Sequence, residues 1–157
     1  WSMRTVCLIL VIFLAGCGRF YPPTVINKDF LPYVQSFEDL WGHKVKFSVI
    51  YGDVPDEYIG VCKTWSDGHK EVHIDKEWWE SEYTNDTERL VLIYHELGHC
   101  ALGRGHLDGF TGGKPTSIMN SYNIGGWYDS NEDYYDFELF NPGQGLERHE
   151  GCVLKMD

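Results

Sequence analysis

Residues 95–106 read His-Glu-Leu-Gly-His-Cys-Ala-Leu-Gly-Arg-Gly-His, and their types and spacing are those of a metal site. His95 and His99 are four apart, so a helix stacks them one turn above each other on one face. Two imidazoles so placed share one zinc, and Glu96 between them reaches a water on the same metal. A catalytic zinc takes three protein ligands and keeps a fourth position open. Gly103 and Gly105 are helix enders, and the turn they make returns His106 toward the pair. The stretch therefore reads as a His95–His99–His106 zinc site with Glu96 as general base.

For that chemistry the run must lie on a helix, and the residues before it supply one. Thr87 to Tyr94 is helix-compatible throughout. Asn85 can cap it, with Glu88 three residues on as the reciprocal partner. Leu90, Ile93, Leu97 and Ala101 then form an apolar stripe at helical spacing. A chance His-Glu-x-x-His match in a structural helix needs neither the cap nor the following Gly-x-x-His.

The pattern resembles the metzincin clan of zinc metallopeptidases, in which a His-Glu-x-x-His helix, a glycine turn and a third histidine precede a methionine turn. His95, Glu96, His99, Gly103 and His106 come in that order, and Ser117-Ile118-Met119-Asn120-Ser121-Tyr122 looks like the methionine turn. The resemblance implies that Met119 forms an apolar floor under the metal. Cys100, Ala101 and Leu102 stand between the second histidine and the glycine, one residue more than is usual in the clan. One extra helical residue rotates the succeeding chain by about 100°. Asp108 is therefore the alternative third ligand, since a carboxylate oxygen also binds zinc. Tyr122 is a candidate hydrogen-bond donor to the tetrahedral oxyanion. It lies three residues after Met119, one further than in clan members that carry such a tyrosine.

At the other end, Arg4 precedes an apolar run from Val6 to Ala15, the shape of a signal peptide. Leu14-Ala15-Gly16-Cys17 matches the bacterial lipobox. The expected organisation is a signal peptide over 1–16, a lipidated Cys17 with a tether to residue 25, and one domain over 26–157. Several acyl chains on one cysteine anchor durably. Gly18 lacks the acidic residue that retains lipoproteins at the inner membrane, so the outer membrane, facing the periplasm or the cell surface, is the expected location. The formal net charge of -11 argues against nucleic acid and anionic membrane surfaces as partners. A monomer is expected. Three cysteines remain, Cys62, Cys100 and Cys152, and an oxidising compartment permits any one of their three pairings.

The expected fold class is α+β, a small mostly β N-terminal subdomain packed on the active-site helix, with a short irregular or helical C-terminal part. Residues 25–40 carry Phe30, Leu31, Val34, Phe37 and Leu40 at helical spacing, with Pro32 in the first turn. Residues 44–51 alternate as a strand, 58–65 and 70–75 form a hairpin, and 76–82 form a short helix. By analogy with the clan, that hairpin offers an exposed sheet edge to a substrate peptide. The cluster at 129–133 lacks the glycine and glutamate that an EF-hand needs, and reads as a solvated turn before a helix over 134–140.

The function expected is a lipid-anchored zinc metallopeptidase acting on a peptide or protein substrate. The alternative is a non-catalytic envelope lipoprotein with a structural zinc site, or an interaction module. In that case Glu96 has no role.

Overall fold

The computed structural model describes residues 23–142 and the strand at 153–155. The expected signal peptide over 1–16, Cys17 and Cys152 lie outside the described residues. No helix among the described residues is long and apolar enough to cross a membrane.

The chain is α+β, with a helix at its centre. Helix α1 (Leu31–Trp41) leads into a mixed sheet built from β1 (Ser48–Tyr51), β2 (Tyr58–Thr64), β3 (Lys70–Ile74) and β6 (Val153–Lys155), in the order β1-β3-β2-β6. The β1–β3 pair is parallel, and β2 runs antiparallel to both β3 and β6. Between β3 and the central helix α3 (Asp86–Cys100) lies the short helix α2 (Lys76–Glu80). A two-residue ribbon follows, β4 (Phe110–Thr111) with β5 (Lys114–Pro115), and then helices α4 (Gly125–Tyr128) and α5 (Glu132–Phe140).

Local chemistry explains most of these boundaries. Pro32 sits in the first turn of α1, where a missing N–H costs nothing, and Gly42 closes the helix in the left-handed region. The expected 44–51 strand is shorter than its alternation predicts. Glu38 takes the Val45 N–H at 2.8 Å and the Lys44 ammonium at 2.5 Å, so 44–47 is held against the end of α1 and the ladder starts at Ser48. Ahead of α1, Val25 and Asn27 hydrogen-bond to Ser48 and Val49 of β1. The hairpin forms as read, but neither of its strands is a free edge. β3 lies between β1 and β2, and β6 covers the far side of β2.

Helix α3 carries more burial than one apolar stripe requires. Every residue from Val91 to Cys100 is buried, because the sheet packs on one side and α1 and α4 on the others. A helix buried all round is the signature of a core element rather than a surface one. Its start is fixed locally. Asn85 Oδ1 accepts the Glu88 N–H at 2.9 Å while Glu88 Oε2 accepts the Asn85 N–H at 2.8 Å, a complete capping box. Its end is fixed covalently, since a disulfide joins Cys100 to Cys62 on β2.

Candidate metal centre

Helix geometry brings His95 and His99 together, as their spacing requires. Their Nε2 atoms stand 2.8 Å apart, and a ligand nitrogen of His106 lies within 4.8 Å of both. His106 arrives through a turn that the sequence announces. Gly103, at φ 67°, takes the left-handed conformation that ends a helix. The Gly103 N–H then reaches the His99 carbonyl and the Arg104 N–H the Gly98 carbonyl, closing the last helical turn. The extra residue before the glycine is absorbed in this turn. Asp108 is not in this group. Its two carboxylate oxygens accept the backbone N–H and the hydroxyl of Ser121, at 2.7 and 2.8 Å.

The tautomers of the helix histidines follow from their neighbours. His95 Nδ1 is 2.9 Å from the Ile118 carbonyl oxygen, and His99 Nδ1 is 2.6 Å from that of Arg104. A carbonyl accepts only, so each Nδ1 must carry the proton, which leaves both Nε2 lone pairs facing each other. Protonating one ring would relieve the clash, but burial, and next the neighbouring His99, hold His95 well below the ordinary imidazole range. Burial likewise brings His99 down to about 4. Two inward lone pairs with a third imidazole beside them fit a cation. Carbonyl support on the outer nitrogen is the usual way a protein orients a metal-binding imidazole.

Glu96 is fully buried, and neither of its oxygens has a hydrogen-bond partner. Burial raises its pKa well above the ordinary carboxylate value; the Cys62 backbone opposes this without closing to a normal hydrogen bond. The carboxylate leans on β2 at Gly60, where an added Cβ would come within 3.0 Å of Glu96 Cγ and Oε1. Glycine at 60 is what lets the strand approach the acid this closely.

Met119 is completely buried, its thioether against Gly98. Its carbonyl accepts the Leu107 N–H at 2.7 Å, which fastens the 117–120 turn to the segment carrying His106. Tyr122 stands apart from this arrangement. It is 48 % exposed, and among the described residues its hydroxyl makes no hydrogen bond. Its ring instead borders a pocket of about 360 Å³ shared with Phe110, Pro115, Ile124 and Trp127.

Sequence reasoning missed the group that holds the loop half of the site. Arg104 is buried, and its guanidinium donates to the Glu138 and Leu139 carbonyls, at 2.9 and 3.0 Å, and to the Glu138 carboxylate. The other Glu138 oxygen accepts the Ser117 hydroxyl, whose own oxygen accepts the Met119 N–H at 2.9 Å. One carboxylate on α5 thus anchors both the residue whose carbonyl orients His99 and the turn whose Ile118 carbonyl orients His95. Nothing in the sequence pairs Arg104 with Glu138, 34 residues away.

These features define a three-histidine cluster that could hold a metal ion, two of its members on the buried helix α3 with Glu96 directly after His95, and the third on the loop that follows. Comparison with family models, with characterised proteins and with solved structures yields no match.

Proposed function

We propose that this chain is a zinc peptidase with a metzincin-like arrangement, held at the cell envelope through a lipid on Cys17. The observation that carries the reading is Glu96, a carboxylate buried without a hydrogen-bond partner and next in sequence to His95 of the three-histidine cluster. Burying an unpaired carboxyl group costs stability. Such an acid is the expected partner of a reacting water.

A zinc ion held here would supply Lewis acidity and lower the pKa of a water to about 7. His95, His99 and His106 are the residues that would hold it. Among the described residues no fourth histidine, cysteine or carboxylate joins them, which suits an open catalytic site better than a closed structural one. Glu96 would be the residue that accepts a proton from the attacking water and passes it to the leaving nitrogen of a peptide bond. The Ile118 and Arg104 carbonyls keep both imidazoles in the tautomer that presents Nε2. Tyr122 remains the candidate donor to the oxyanion, its hydroxyl being uncommitted.

The test is hydrolysis of an unfolded protein substrate by the zinc-loaded chain and by its Glu96→Gln variant. The expected loss in kcat for Glu96→Gln is on the order of 10²–10⁴-fold with zinc still bound. Full activity in that variant, or an inert zinc-loaded wild type, would contradict the proposal. It would favour the alternative of a lipoprotein whose zinc only stabilises the fold.

A further inference from the structure

The strand β6 closes the sheet on the far side of β2, the strand that touches Glu96. It pairs antiparallel with β2, Lys155 opposite Tyr58, Leu154 opposite Gly60 and Val153 opposite Val61, and it also packs against α3. Gly60 is the residue whose bare backbone lies against Glu96. The β2–β6 ladder therefore runs alongside Glu96. Without β6, β2 would present a row of unpaired N–H and C=O groups there, the kind of edge that captures extended chains.

This ladder is short. It spans three residues, fewer than the five or so typical of strands, and its register shifts between Tyr58 and Gly60. A register shift leaves a residue unpaired and disrupts the ladder locally. The backbone bonds that seat β6 are available to any extended peptide, whatever its side chains. What β6 has in its favour is its covalent tether, which gives a local concentration on the order of millimolar.

We propose that β6 is a displaceable internal ligand of the β2 edge, occupying the place where an extended peptide pairs beside Glu96. The inference rests on the peptidase reading for what the incoming peptide is. The surface itself, an edge that accepts one extended strand, does not depend on turnover. A substrate binds by exchanging with the chain's own C-terminal strand, which lowers the apparent affinity for short peptides and favours long or unfolded ones.

The probe is a fluorescent peptide with the sequence of residues 151–157 carrying Cys152→Ser. Its binding is measured by anisotropy to the full zinc-loaded chain bearing Glu96→Gln, with and without Leu154→Pro. Proline removes an N–H and disfavours strand pairing opposite Gly60. The expected result is a tightening of about tenfold or more when Leu154→Pro releases the edge. Equal or weaker affinity in a folded Leu154→Pro chain, or no binding to either chain up to about 1 mM, would overturn the proposal. If Leu154→Pro fails to fold, amide exchange in the Glu96→Gln chain decides. Saturating peptide should expose the amides of 153–155 while those of 58–61 stay protected, and protection retained at both would overturn it. Strand exchange in a chain whose zinc-loaded wild type cleaves nothing would sink the peptidase reading alone and leave this one standing.

Discussion

The two halves of the metal centre are held by different means. The helix half, His95 to Cys100, is fixed by interactions close in sequence: a capping box at Asn85 and Glu88, buried packing on every face, and one disulfide at its end. The loop half, Gly103 to Met119, has little regular structure and depends on side chains from distant elements, Glu138 above all. Yet each half orients the other. The loops supply the carbonyls that set the tautomers of the helix histidines, and the helix supplies Gly98, against which Met119 rests. A metal centre can be half locally encoded and still fail as a whole when a remote contact is lost.

The largest effect should come from the remote contact. Arg104→Ala leaves the Glu138 carboxylate and two carbonyls nearly buried without their donor. Breaking such a pair costs about 3–5 kcal/mol. Because the Arg104 carbonyl orients His99, zinc affinity should also fall by about 10–100-fold. Denaturant unfolding and a competitive zinc titration read the two separately. Unchanged zinc affinity would mean that the loop half holds its shape without Glu138.

Removing the helix half's tie should cost stability with much less effect on metal. The disulfide closes a separation of 38 residues, worth roughly 2–4 kcal/mol. Cys62→Ala with Cys100→Ala should therefore lower the unfolding midpoint clearly. Zinc affinity should change by less than about tenfold, since neither histidine takes its orientation from the bridge. A greater zinc loss here than in Arg104→Ala would reverse the comparison.

A smaller effect is the acid response of the metal-free chain. His95 and His99 have folded pKa values below the ordinary 6.5, His99 at about 4, because burial disfavours the imidazolium. As pH falls from 6.5 toward 4 the unfolded chain takes up protons that the folded chain refuses, so stability declines across that window. Glu96 acts in the opposite sense. Its pKa is raised in the fold, so its burial penalty is relieved as pH falls toward 4.5. Metal-free Glu96→Gln should therefore melt several degrees lower at about pH 5 than at about pH 7.5, and more steeply than metal-free wild type. Melting at one temperature at both pH values would show that the histidines are not held neutral by burial.

The same division explains what the sequence made legible. The capping box, the His95–His99 spacing and the Gly103 turn are local, and α3 forms where those signals put it. The 58–64 and 70–74 strands likewise arise from alternation around a turn. The sequence offers Asp108 as the alternative to His106 for third ligand, and only tertiary structure pairs Asp108 with Ser121. The Arg104–Glu138–Ser117 group left no periodic trace, because its members come from a turn, a helix and a loop. The covered edge of β2 was equally hidden, since three residues near the C-terminus carry too little pattern to declare a strand or its partner.

The central claim is that three histidines and one acid form an open zinc centre, and elemental analysis tests it most directly. Zinc per chain is measured after exhaustive dialysis for wild type, His106→Ala and Glu96→Ala. About one zinc per chain in wild type and Glu96→Ala, with most of it lost in His106→Ala, is the result expected of three ligands and a non-ligating base. A folded wild type without zinc, or full zinc in His106→Ala, would contradict the account.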